Sequence, residues 1–143
     1  MENNKKKVLF LCTGNSARSQ MAEAFMEKHG ADFYEVFSAG LKPSSEIFPP
    51  VVTVMKEIGM DISDKKPKGV EKFLGKDFFY KVFIVCEKAE KNCPSIFSAS
   101  SREFWPFDDP ASIKGTEQEI LEKCRRVRDE IEKRVTDWVK KNY

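Results

Sequence analysis

The sequence predicts an α/β fold: a parallel sheet of four strands with helices on both faces, folded as one domain over residues 1–143. Three observations lead there. Val8 to Cys12 and Val82 to Cys86 are unbroken apolar runs, as strands buried on both faces require. Between and after them, apolar residues recur every three or four positions, the period of a helix with one buried face. Strands that alternate with helices join as parallel β-α-β units. The length of 143 residues suits one real core and is too short for two ordinary domains.

Each element follows from local signals. Val8 to Leu11, bounded by lysines and Gly14, is the first strand. Ser19 to His29 carries Met21, Ala22, Phe25 and Met26 at helical spacing, and Gly30 suits a C-terminal cap. Tyr34 to Ser38 reads as the second strand. Pro49 and Pro50 open a helix that Gly59 stops after Ile58. Val70 to Leu74 fits a short helix, Tyr80 to Cys86 the third strand, and Glu103 to Phe107 a short fourth. From Thr116 to about Lys141, the residues Ile120, Cys124, Val127, Ile131, Val135 and Trp138 form the buried stripe of a long amphipathic helix.

Composition excludes several classes. A formal net charge of +2 gives no field for a polyanion, so no nucleic acid is expected as partner, and Lys5 to Lys7 read as a solvated lead-in to the first strand. No apolar run approaches the roughly 20 residues that cross a bilayer, and none at the N-terminus is long enough for a secretory signal. A cytoplasmic protein without membrane contact is therefore expected. In a reducing compartment four cysteines are reactive or buried rather than bridged. They lack paired CxxC spacing, and His29 is the only histidine, so no zinc site is expected.

Ligands of parallel α/β sheets bind beyond the carboxyl ends of the strands. Cys12, Cys86 and Asp109 each follow a predicted strand and should share that rim. Between the first strand and the first helix lies Cys12-Thr13-Gly14-Asn15-Ser16-Ala17-Arg18-Ser19. A loop wrapped there turns successive N–H groups into one concavity, backed by the positive end of the helix dipole. Gly14 would supply backbone angles that a side chain resists. Arg18 offers a planar fork for two oxygens of a tetrahedral oxyanion. In such a field a thiol, ordinarily near pKa 8.5, falls to roughly 3.5–7.5, with Ser19 donating to the sulfur. The competing reading is a buried strand-end cysteine beside a surface arginine. Asp109, before Pro110, is the candidate general acid, and Asp108 reads as a capping or surface carboxylate.

The stretch Val8 to Phe25, VLFLCTGNSARSQMAEAF, resembles the low-molecular-weight tyrosine phosphatase superfamily, and more narrowly its thioredoxin-coupled arsenate reductases. The resemblance extends through Asp108-Asp109-Pro110-Ala111 and Arg125 to Glu130. It implies a four-stranded parallel sheet flanked by helices. Ala17 stands where many members carry a second cysteine, which is not the nucleophile. It also implies two candidate chemistries. As a phosphatase, Cys12 would form a phospho-enzyme with Asp109 as acid, but Ala111 occupies a position where those enzymes carry an aromatic residue that grips a phenyl ring. As a reductase, Cys12 would attack arsenate, Cys86 would attack Cys12 and release arsenite, and Cys93 would draw the disulfide to Cys86–Cys93 for thioredoxin to reduce. If Glu87 to Cys93 is helical, those α-carbons stand about 10.5 Å apart. A disulfide needs less than about 7 Å, so the segment would have to unwind. A non-catalytic oxyanion-binding or redox-sensing module is the third possibility.

Asn15, Glu23 and Ser38 match positions that help form a potassium site in some of the resembled reductases. The basic run Asp64 to Lys68 offers an ammonium in its place, so potassium is expected to stimulate weakly or not at all. The alternative is a solvated loop and a helix-surface glutamate. No tightly bound cofactor is expected. The expected partners are an arsenate or phosphate oxyanion and thioredoxin, with a monomer as default. Cys124 reads as core, His29 as an exposed helix end, and Trp105 and Phe107 as packing.

Overall fold

The computed structural model describes residues 5–73, 78–87 and 98–142. Strands β1 (Lys6–Cys12), β2 (Tyr34–Gly40), β3 (Phe78–Ile84) and β4 (Ser98–Phe104) form one parallel sheet in the order β2-β1-β3-β4. Among the described residues, helices α1 (Arg18–Gly30), α2 (Pro49–Glu57) and α3 (Glu117–Asn142) accompany the sheet. Among the described residues no helix is long and apolar enough to cross a membrane.

The register puts the most apolar strand at the centre. Leu9 of β1 pairs with Phe37 on one side and Val82 on the other, and Phe10 pairs with Ser38 and Phe83. Neighbouring residues on a strand face opposite ways, so both faces of β1 need cover. On the Phe10 face, Phe83, Trp105 and Trp138 of α3 form one aromatic cluster, with ring centroids 4.3–6.5 Å apart. On the Phe37 face, Phe73 and Phe79 pack edge-on at 5.5–6.0 Å. Val70–Lys72 is a single 3₁₀ turn, shorter than the predicted helix, and Phe73 follows it.

α3 buries the predicted stripe, Cys124, Val127, Ile131, Val135 and Trp138, while Ile120 is half-buried. It packs on both α1 and α2. Arg128, nearly buried, reaches from α3 to the Val54 carbonyl at 2.9 Å and to Glu57 at 3.1 Å, closing the end of α2 with a charge-assisted bond. Gly59, at φ +81°, stops α2 as expected.

Two predicted details differ. The fourth strand is Ser98–Phe104, earlier than Glu103 to Phe107. Its position follows the register of β3, whose Phe78 to Ile84 it matches, and not its own polar sequence. As an edge strand it needs only one bonded neighbour. Trp105 N–H still reaches the Ile84 carbonyl at 2.7 Å beyond the strand end. Gly30, expected as a C-cap, is the last helical residue, and Ala31 caps in the ordinary helical region. Packing explains the glycine: a Cβ there would lie 3.1 Å from Met26 Sδ and 3.2 Å from the Tyr34 ring.

Gly40 ties the sheet to the loop after β1. A Cβ on it would stand 2.7 Å from the Thr13 carbonyl oxygen and 3.0 Å from Asn15 N. Those neighbours are backbone and cannot swing aside. Gly40→Ala is expected to cost about 1–3 kcal/mol, as overpacking does. It should also weaken binding of inorganic phosphate. Denaturant unfolding and calorimetry check both; wild-type values in each would show that the contact is not tight.

Candidate active site

The loop from Cys12 to Ala17 is shaped by where its carbonyl groups go. The Cys12, Thr13, Gly14 and Ser16 oxygens accept from the N–H groups of Leu41, Lys42, Ser44 and Phe48 at 2.8–3.0 Å. Asn15 O accepts from Gln20 Nε2 at 3.2 Å, and Ala17 O from Met21 N at 3.0 Å. All six acceptors are engaged away from the pocket, so the amides are free to serve the concave side. No side chain caps the start of α1, which leaves its first N–H groups to the same use.

The left-handed residue that turns the chain is Asn15, at φ 53°, not Gly14 as expected. Asparagine tolerates this region. At Gly14 a Cβ would lie 2.8 Å from Ser44 Oγ, the end of an exposed side chain that can rotate away, so neither space nor a positive φ demands glycine there. The turn aims Asn15 N–H at Cys12 Sγ, 3.1 Å away. Ser19 Oγ lies 2.8 Å from the same sulfur.

Cys12 is 3% exposed. Burial pushes its thiol above the ordinary value, against the expected depression. The Ser19 and Asn15 hydrogen bonds and the Arg18 charge pull it down by less, while the neighbouring Cys86 adds to the rise. Depth decides the direction, and depth is not written in a motif.

Cys12, Thr13, Gly14, Ser16, Ala17, Arg18, Cys86 and Asp109 all line one cavity of about 680 Å³. The predicted convergence on one rim is therefore what the sheet delivers. Arg18 Nη1 donates to the Phe107 carbonyl at 3.1 Å, and Nη2 lies 3.5 Å from Asp109 Oδ2. Asp109 also accepts from Ala111 N–H at 3.0 Å. Asp108 also lines the cavity but pairs with Lys123 at 2.7 Å, which holds its carboxyl below the usual range. Cys86 is buried, with its sulfur 3.4 Å from Thr13 Oγ1. Cys93 lies outside the described residues.

Asn15, Glu23 and Ser38 also meet. Asn15 Nδ2 donates to Ser38 Oγ at 3.0 Å, and Ser38 Oγ donates to Glu23 Oε1 at 3.0 Å. Glu23 is buried rather than on the helix surface. Lys65 Nζ stands 3.4 Å from the same Glu23 oxygen and Lys68 Nζ 3.9 Å. Burial works against the Lys65 charge, but the Glu27 hydrogen bond and the Glu23 charge outweigh it and raise its pKa. Among the described residues no group of three or more His, Cys, Asp or Glu side chains is placed to hold a metal ion. His29 is half-buried, with Nε2 3.3 Å from Glu132, not exposed as expected. Cys124 is core, and burial pushes its thiol up to about 11.

Sequence reasoning passed over two residues. Ser44 lines the cavity and supplies a backbone N–H to the loop. Gln20 is wholly buried against Asn15, although its polar side chain reads as solvent-facing.

The model of the low molecular weight phosphotyrosine protein phosphatases matches residues 7–142. The chain belongs to that family. Within it, the chain is 44% identical over 132 residues to an arsenate reductase of Halalkalibacterium halodurans, covering 92% of this chain and 94% of that one. Two solved structures, an arsenate reductase in oxidized state and one in the phosphate binding state, each superpose with a TM-score of 0.79 at 34% identity. Each covers 95% of this chain and 98% of its own.

Ser19→Ala removes a hydrogen bond that favours the thiolate, so Cys12 should titrate at still higher pH. A bond to a charged group is worth about 1.5–3 kcal/mol, or roughly one to two pH units. The pH dependence of Cys12 alkylation, followed peptide by peptide in a mass spectrometer, reads this directly. A midpoint at or below that of the wild type would contradict it.

Proposed function

We propose that this protein reduces arsenate to arsenite with thiol electrons. The observation that carries the reading is the second sulfur in the oxyanion cavity: Cys86 lines the same wall as Cys12 and Arg18. A hydrolase has no use for it. Relatives and structural neighbours named arsenate reductase support the same chemistry.

Arsenate would enter against the loop amides of Thr13 to Ser19, with two oxygens on the Arg18 fork. To take it, Arg18 exchanges its present partners, the Phe107 carbonyl and Asp109. The Cys12 thiolate attacks arsenic, and Asp109 gives its proton to the departing oxygen. The Cys86 thiolate then attacks Cys12 Sγ. The electron pair of the S–As bond passes to arsenic, which leaves as arsenite, and a Cys12–Cys86 disulfide forms. Cys93 attacks Cys86, frees Cys12 and leaves Cys86–Cys93 for a dithiol donor, which we take to be thioredoxin. Two thiols are oxidised for each As(V) reduced to As(III), so electrons balance.

We place the protein in the cytoplasm, where thiols stay reduced, and take it to act as a monomer. Ala111 and Ser112 at the cavity wall suit a small inorganic anion better than an aryl group. The residues around Glu23 do not suit a potassium ion. Glu23 Oε1 already faces Ser38, Lys65 and Lys68, so a further cation would meet two ammonium groups. Replacing sodium by potassium is therefore expected to change turnover little, and a large gain in steady-state rate would refute this.

The main test is arsenite production with thioredoxin and its reductase. Cys86→Ser and Cys93→Ser should each abolish multiple turnover while hydrolysis of an aryl phosphate continues. Unchanged arsenite production in either variant would sink the relay.

A further inference from the structure

Gln20 carries a cost that the fold does not explain. It is fully buried, and its Oε1 is the one buried side-chain nitrogen or oxygen without a hydrogen-bond partner among the described residues. Such an atom costs about 1–3 kcal/mol. The other end of the amide is heavily used. Nε2 lies 3.2 Å from Asn15 O, 3.0 Å from Asn15 Oδ1 and 3.2 Å from Lys66 O. All three are acceptors, so the amide cannot be turned round to satisfy Oε1.

Its place in the loop is equally specific. Of the six carbonyl groups from Cys12 to Ala17, only that of Asn15 is held by a side chain. Asn15 is also the one non-glycine residue with positive φ among those described. The same Nε2 grips Asn15 Oδ1 and, through Lys66 O, the strand of chain whose Lys68 N–H donates to Oδ1 at 2.8 Å. With Oδ1 held by two donors, Nδ2 must face Ser19 Oγ, at 2.8 Å. Ser19 Oγ then accepts from Asn15, and its own hydrogen is left for Cys12 Sγ.

We propose that Gln20 is a positioning residue that fixes the direction of this hydrogen-bond chain, so that the Ser19 proton points at the nucleophilic sulfur. It touches neither substrate nor sulfur and acts through Asn15 and Ser19. The inference rests on Cys12 as nucleophile. Its readout is the titration of Cys12 itself, so a failure of arsenate turnover leaves it standing.

Gln20→Met keeps the shape and removes the unpartnered oxygen, but it also leaves Asn15 O without its donor, so the melting temperature should fall by several degrees while the fold is kept. Gln20→Leu is the second donorless variant. In each, the pH midpoint of Cys12 alkylation should rise by roughly half to one unit. In a Ser19→Ala background the same substitutions should move it less than half as far, because only the Asn15 N–H then links this network to the sulfur. An unmoved midpoint in a folded variant overturns the proposal. So does a shift in the Ser19→Ala background more than half that in the parent, or the failure of both variants to fold, which would make Gln20 a core residue only.

Discussion

Carbonyl oxygens would repel any anion brought near Cys12, and the loop has six of them. Every one is engaged on its outer side, four by the 41–48 segment and one each by Gln20 and the first turn of α1. This arrangement makes the rest possible. It lets amides face a buried sulfur, it leaves Gly40 no room for a Cβ, and it forces one residue into the left-handed region. Remove the outward acceptors' partners and the concavity would present mixed charge, which no guanidinium could correct.

The buried thiol is the point of tension. Depth favours the neutral form, while catalysis needs the anion. The protein answers with directed donors rather than with exposure: a backbone N–H from Asn15, a hydroxyl from Ser19 and the charge of Arg18. Ser19 and Asn15 are held by further bonds, back to Ser38, Glu23 and the lysines of the 65–68 segment, whereas Arg18 is held by the Phe107 carbonyl and Asp109. Charge at the surface and charge at the sulfur are thus joined by an ordered chain of hydrogen bonds, not by contact.

Much of this was legible in the sequence, and the reasons are physical. The continuous runs VLFL and VFIV can only be central strands, and a parallel sheet then sends Cys12, Cys86 and Asp109 to one edge. The α3 stripe was equally plain. What escaped depends on depth or on distant partners. A glycine beside an asparagine draws the left-handed assignment by default, yet that conformation fell to Asn15. α1 is buried through Ser19 to Met26, so periodicity says little about which of its polar residues turn inward. β4 is polar along its length and takes its place from β3. The meeting of Lys65 with Glu23 spans 42 residues of sequence and leaves no local mark.

β1 and β3 lie side by side, with Leu11 opposite Ile84 just before the two cysteines. Folding has therefore already removed the translational freedom that two separate thiols would lose on meeting. A bond between these sulfurs would form in a first-order step, indifferent to how dilute the protein is, and its speed would be set by local rearrangement at the sheet edge instead of by encounter.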